Sequence, residues 1–184
     1  MEFIFDDYQK YDIYFAFYKG NYRWWSRVIR WWTRSPYSHC EFYIVPKDAS
    51  KSYGYMFGIS DNQRVRVQVA NLFLERNKKK WDLYRMQENL KINNRNINKR
   101  LFDAINFLFT NTQGKKYDWK GLIFANLFNR KEHDPDKYTC SEWLLEAFDL
   151  ASNILFPKWY ITYTPGDVYN MILPFVVKGD DTHG

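Results

Sequence analysis

The hydrophobic period of this 184-residue chain changes partway along it, and that change restricts the fold more than any single motif. Up to about residue 86, β-branched and aromatic residues alternate with polar ones in short runs, the two-residue period of half-buried strands. Strands are expected at residues 11–18, 39–45, 53–59, 64–69 and 81–86, with the strictest alternation in Arg64-Val65-Arg66-Val67-Gln68-Val69. One helix interrupts them. Trp24, Trp25, Val28, Ile29 and Trp32 recur at three- and four-residue spacing, with Arg23, Ser26, Arg27 and Arg30 on the other side, until Ser35-Pro36 ends the pattern. Its tryptophan stripe is expected to pack against the sheet. From Asn98 the period is helical: Leu101, Ala104, Ile105, Leu108 and Phe109 share a face, and Gly114 stops them. Further helices are expected at residues 119–128, from Cys140, and after Thr164-Pro165, a cap followed by proline at the first helical position. Strands first and helices later make an α+β fold, an antiparallel meander packed against helices.

The length suits one domain, and no repeat or linker divides the chain. Residues 1–178 are expected to form that domain and 179–184 a disordered tail, with 77–80 and 91–100 as solvated polar turns. Lys plus Arg number 27 against 21 Asp plus Glu, a formal charge of +6, which fits a nucleic acid, a membrane surface or a cell-wall polymer. No helix-turn-helix, zinc or RNA-binding motif organises the basic residues, so no specific nucleic acid is expected. The acidic start Met1-Glu2-Phe3-Ile4-Phe5-Asp6-Asp7 lacks the pattern of a signal peptide, and no apolar run approaches the ~20 residues of a transmembrane segment. The protein is therefore expected to be soluble where it is made. Cys40 and Cys140 are too few for a disulfide framework or a four-thiolate zinc site.

Thr139-Cys140-Ser141-Glu142 fits a capping box, which puts Cys140 at the first helical position. The exposed N–H groups and positive dipole end there favour a thiolate, the nucleophilic form of cysteine. Trp143, Leu144, Ala147, Phe148 and Ala151 give that helix a buried face. The plainer reading is a small apolar residue under an ordinary capped helix. A cysteine nucleophile needs a base, and the chain has His39, His133 and His183. His183 lies in the tail and His133 in a polar loop, whereas His39 opens an apolar strand. Side chains alternate along a strand, so His39 shares a face with Glu41 while Cys40 points away. If His39 meets Cys140, Cys40 is then expected not to. Glu41 is the first candidate to orient the imidazole, although same-face neighbours stand ~6–7 Å apart. Its structural alternative is a buried carboxylate tied to backbone or to an arginine such as Arg34 or Arg64. Ser60 and Asp61 are other candidates for the third member.

These residues resemble a known family, the circularly permuted papain-fold, NlpC-like thiol hydrolases, and within it a group encoded by tailed bacteriophages. The resemblance is carried by Arg30-Trp31-Trp32-Thr33-Arg34-Ser35-Pro36-Tyr37-Ser38-His39 followed by Glu41, by Phe57-Gly58-Ile59-Ser60 with Val65-Arg66, and by Trp81-Asp82-Leu83-Tyr84. It continues through Gly114-Lys115-Lys116-Tyr117-Asp118-Trp119 with Gly121-Leu122, Tyr138-Thr139-Cys140-Ser141-Glu142-Trp143, and Thr164-Pro165-Gly166-Asp167-Val168-Tyr169. The blocks stand in the family's order and span residues 14–173, His39 preceding Cys140 as in permuted members. The resemblance implies a permuted papain-like fold, with Cys140 as nucleophile, His39 as general base and then acid, and Glu41 as the polar partner of the histidine. Ser38, Tyr117, Tyr138, Ser141 and Ser60 fall in the same blocks and are expected to line the substrate site. It implies no metal or organic cofactor.

The function expected is that of a phage cysteine hydrolase cleaving an amide or ester bond by acyl transfer, with a peptidoglycan peptide as the leading substrate. The protein would be made in the host cytoplasm, with the virion as a second location and other virion proteins as further partners. Two other classes compete: a non-catalytic virion structural or binding protein that kept the fold, and a lipid acyltransferase or hydrolase working at a membrane surface, suggested by the Trp/Arg helix.

Overall fold

The computed structural model describes residues 7–20, 24–48, 53–59, 64–70, 74, 78–118, 134, 136–154 and 160–179. Strand β1 (Tyr11–Tyr18) leads through helix α1 (Trp24–Thr33) to β2 (His39–Pro46), β3 (Tyr55–Gly58), β4 (Arg66–Val69) and β5 (Trp81–Met86). A two-stranded hairpin, β6 (Lys91–Ile92) and β7 (Arg95–Asn96), precedes α2 (Ile97–Thr112). The short strands β8 (Lys116–Tyr117) and β9 (Lys137–Tyr138) pair in parallel just before α3 (Cys140–Ser152), and α4 (Pro165–Ile172) and β10 (Val176–Lys178) close the chain.

Among the described residues the fold is α+β: a six-stranded antiparallel sheet in the order β10-β5-β1-β2-β3-β4, and four helices. Strands β1 to β4 form the expected meander. Strand β5 then returns to the far side of β1, which makes β1 and β2 the centre of the sheet. Alternation along β1 sends Ile13, Phe15 and Phe17 into the main core with α2 and α3, while Tyr14, Ala16 and Tyr18 join a second buried cluster on the opposite face. Phe15 meets Phe148 edge-on at 5.9 Å, Phe42 meets Trp143 at 6.0 Å and Phe57 meets Phe109 at 5.6 Å, so aromatic pairs join the sheet to both long helices.

Several expectations change. Helix α1 is turned round: Trp24, Val28, Trp31 and Trp32 are 70%, 46%, 77% and 48% exposed, while Ser26 on the supposed outer side is buried. Arg30, also placed on the outer side by pattern, donates from Nη1 to the Lys19 carbonyl at 2.8 Å, so the polar side anchors the helix. Residues 91–100 are not simply solvated turns. Asn93 and Asn94, at φ 52° and 61°, take the left-handed conformations that suit asparagine in a two-residue hairpin turn, and the Asn96 side chain caps α2. Gly179 belongs to the sheet edge, its N–H bonding the Leu83 carbonyl at 2.8 Å, rather than to the tail. The helix expected at 119–128, together with Ser60, Asp61, His133 and His183, lies outside the described residues.

Candidate active site

Three chain segments converge on Cys140: the start of α3, the start of β2, and β8. The head of α3 forms as its sequence dictates. Thr139 Oγ1 accepts from the Glu142 N–H at 3.2 Å, and the Thr139 N–H donates to Glu142 Oε2 at 3.1 Å, so Cys140 is the first residue inside a fully capped helix. Trp143 anchors the first turn, buried and donating from Nε1 to Thr112 Oγ1 at 2.9 Å.

His39 is delivered by a tightly held turn. The Ser38 N–H bonds the Tyr18 carbonyl at 2.9 Å, and the Tyr37 hydroxyl donates to Asp82 Oδ2 at 3.0 Å and lies 3.3 Å from that of Tyr84. Tyr84 donates on to Tyr169 at 3.4 Å, and Lys19 Nζ reaches Asp82 Oδ1 at 2.5 Å. The turn is thus tied to β5 and α4. Helix α4 closes on it through Gly166, where a Cβ would stand 2.4 Å from Ser35 Oγ, so only glycine permits that approach. Ser38 itself is buried and its hydroxyl lies 3.5 Å from the Tyr18 carbonyl, a turn-holding position.

His39 Nε2 sits 2.7 Å from Glu41 Oε1, a direct bond despite the average spacing on one strand face. Glu41 is 2% exposed, and Arg66 grips both its oxygens, Nη2 to Oε1 at 3.1 Å and Nη1 to Oε2 at 3.4 Å. Orienting the histidine and pairing with an arginine are both realised at once, but through Arg66 rather than Arg34 or Arg64. Arg64 instead donates to the Gly114 carbonyl at 2.8 Å. Gly58, on the neighbouring strand, leaves the space that Glu41 fills: a Cβ there would stand 2.8 Å from Glu41 Cγ.

The charges follow from this geometry. Burial opposes ionisation of Glu41, but the Arg66 charge and His39 outweigh it and hold the carboxyl down at about 2. Burial likewise opposes the His39 imidazolium, yet the adjoining Cys140 and Glu41 raise it to about 10. The Cys40 thiol donates a hydrogen bond to the Cys140 sulfur and, against the opposing effect of burial, joins the His39 charge in holding Cys140 well below the ordinary thiol range. Cys40, deeply buried beside a thiolate, is pushed well above it. The stable arrangement is a Cys140 thiolate beside a His39 imidazolium backed by Glu41 and Arg66. With Nε2 engaged by Glu41, Nδ1 is the ring nitrogen left for the sulfur.

Contact of both His39 and Cys40 with Cys140 overturns the expectation that only one of them would reach it. Alternation itself holds: Cys40 lies in the main core, while the His39 ring meets Trp81 of the second cluster. Cys140 heads its helix opposite the end of β2, where both sides of the strand can be reached. Nothing in the cysteine spacing signalled this. Tyr117 is half-buried with its hydroxyl 3.9 Å from Cys140 Sγ, and the buried Ser141 Oγ lies 4.0 Å from it. Tyr138 is buried under Lys115, whose Nζ stands 5.4 Å from the ring centre, and burial pushes its hydroxyl pKa up. Among the expected lining residues Tyr117 and Ser141 therefore border the sulfur, Tyr138 and Ser38 support the surrounding backbone, and Ser60 is undescribed. Among the described residues, no three His, Cys, Asp or Glu side chains come together in a way that could hold a metal ion.

The sequence matches no family model and no curated protein. In architecture the chain is similar to the crystal structure of metalloprotein yiiX from Escherichia coli O157:H7, with 17% identity and a TM-score of 0.53 over 78% of this chain and 67% of that one. The likeness concerns the fold.

Proposed function

We propose that this protein is a cysteine hydrolase of the permuted papain-like, NlpC-like type found in tailed bacteriophages, acting by acyl transfer through Cys140. The observation that carries the reading is the ion pair at the head of α3: a depressed-pKa cysteine beside a histidine whose other nitrogen is held 2.7 Å from a buried, arginine-clamped glutamate. The order of nucleophile, base and orienting group matches what thiol catalysis requires.

In the first half-reaction the Cys140 thiolate attacks the carbonyl carbon, and the developing oxyanion is met by N–H groups at the start of α3. His39 gives its proton to the departing amine or alcohol as the C–N or C–O bond breaks. Neutral His39 then takes a proton from water, whose oxygen attacks the thioester, releasing the acid and restoring the thiolate. Glu41 and Arg66 keep the ring oriented through both changes of charge. An amide in a peptidoglycan peptide is the leading substrate, suggested by the family resemblance and compatible with the net charge of +6.

The test pairs hydrolysis with thiol chemistry. Cys140→Ala is expected to abolish release of new amino groups from purified peptidoglycan while leaving the circular dichroism spectrum unchanged; full activity in that variant overturns the assignment. In the wild type, iodoacetamide alkylation of Cys140 should stay near its maximal rate at pH values well below an ordinary thiol pKa of ~8.5. A rate that climbs only toward pH 9 would instead favour a virion binding protein that kept the fold without turnover.

A further inference from the structure

Helix α1 plays no part in the chemistry above, and its orientation is the reverse of what an amphipathic helix on a globular protein adopts. Trp24, Val28, Trp31 and Trp32 stand at positions i, i+4, i+7 and i+8 of a ten-residue helix, one stripe, and all four are exposed, Trp24 and Trp31 by 70% and 77%. The side turned to the protein is held by polar groups: Ser26 is buried and Arg30 reaches the Lys19 carbonyl, with Ile29 half-buried beside them. The two tryptophan rings at its C-terminal end sit edge to face, 6.4 Å apart. Large aromatic side chains aligned toward water form an apolar patch of the kind that marks an interaction site.

The rim of the stripe identifies the partner. Arg27 and Arg34 are exposed on either side of Trp31, and Arg27, Arg30, Trp31 and Ser35 line a cavity of about 360 Å³ beside the helix. Arginines flanking tryptophans match the boundary of an anionic bilayer, where indole rings settle at headgroup level and guanidinium groups meet phosphates. A second copy of the chain would bring the same arginines against one another, and a polysaccharide offers little apolar area to cover the indoles. Helix α1 also joins the end of β1 to His39 at the start of β2, the end of the sheet that holds Cys140.

The geometry points to α1 as an interfacial helix that docks the protein on an anionic lipid bilayer, with Trp24, Val28, Trp31 and Trp32 entering the headgroup boundary and Arg27 and Arg34 contacting lipid phosphates. Docking would turn the His39 end of the sheet toward the membrane. This inference stands apart from the catalytic reading, since it depends on no property of the sulfur.

Co-sedimentation of the full chain with phosphatidylserine/phosphatidylcholine vesicles and with phosphatidylcholine vesicles tests it. Binding is expected to the anionic vesicles, to weaken in 0.5 M NaCl, and to be weak or absent on the neutral ones. Replacing Trp24 and Trp31 together with serine should weaken partitioning roughly tenfold or more, and Arg27→Gln and Arg34→Gln about fivefold each. Because these side chains are exposed, thermal unfolding of the variants should match that of the wild type. Cys140→Ala should bind as the wild type does, so loss of catalysis and loss of docking are separable. The inference is overturned by equal binding to neutral and anionic vesicles, by partitioning that survives the double tryptophan replacement, or by sedimentation-velocity dimers that vanish in the tryptophan variant with no vesicle binding in the wild type.

Discussion

At the scale of single residues, two positive groups, the His39 ring and the Arg66 guanidinium, meet on one buried carboxylate, that of Glu41. Glu41 is ionised in the fold down to about 2, against an ordinary value of 4.5, so its stabilising contribution is present above about pH 4.5 and is lost as pH falls through about 2. His39 runs the other way. Raised from 6.5 to about 10, it contributes fully below pH 6.5 and loses its contribution as pH rises through about 10. Glu41→Gln removes the charge that holds the imidazolium and leaves Arg66 without its counter-ion. The variant should lose somewhat less than the ~3–5 kcal/mol of a fully buried broken pair, because the Arg66 side chain keeps 20% of its surface in solvent. Chemical denaturation checks this. Its Cys140 alkylation profile should move to higher pH, with a rate at pH 6 below that of the wild type and convergence above pH 9. A profile that does not move would mean that Glu41 has no hand in setting the thiolate.

At the scale of elements, the head of α3 shows how a local signal and a tertiary one combine. The Thr139 capping box is purely local and forms as its four residues predict. Burial then acts on the box from outside: with Glu146 and Asp118 near, the Glu142 carboxyl is pushed up to about 8 although the Thr139 N–H favours its anion. A group whose folded pKa is raised from 4.5 to about 8 costs stability as pH climbs between those values, by up to roughly 1.4 kcal/mol per pH unit. Glu142→Gln keeps an acceptor at the third helical position and has no proton to lose. The difference in unfolding free energy between variant and wild type should therefore grow in the variant's favour from pH 5 to pH 8 and level off beyond. A constant difference across that range would show that Glu142 is ionised throughout. Helix α1 is the contrary case. Its period was legible, but which side meets the protein was not, because the polar side is held by a long-range bond from Arg30 to Lys19 and by the burial of Ser26.

At the scale of the whole molecule, the constellation of Cys140, His39 and Glu41 depends on strands and helices far apart in the chain being held at one end of the sheet. Gly166, in the first turn of α4, rests on Ser35, four residues before His39. The Tyr37, Asp82, Tyr84 and Tyr169 hydroxyl network links the same turn to β5 and α4. A side chain at position 166 must push α4 away from this turn. Gly166→Val should cost about 1–3 kcal/mol of stability, as over-packing does, and should lower the pH 6 alkylation rate of Cys140 as the His39 turn shifts. Differential scanning calorimetry and the alkylation assay read the two effects. An unchanged melting temperature would mean that the contact bears no load. The two-sided burial of β1 belongs to this scale as well. Its run Ile13, Tyr14, Phe15, Ala16, Phe17 and Tyr18 is apolar on both faces because β5 returns to pair beside it and leaves it central.

Read alone, the sequence determined the α+β class, most of the meander, the capped helix that carries Cys140, and the shared face of His39 and Glu41. All of these follow from local period, capping chemistry or strand alternation, which act over a few residues. Only the tertiary structure decided that Arg66 rather than Arg34 or Arg64 holds Glu41, because the antiparallel register sets Gly58 opposite Arg66 and opens the space beside the carboxylate. The same holds for the approach of Cys40 to Cys140 and for the outward turn of Trp24, Trp31 and Trp32. Each depends on where the end of one element lies against another distant in sequence, a relation set by packing and long-range hydrogen bonds.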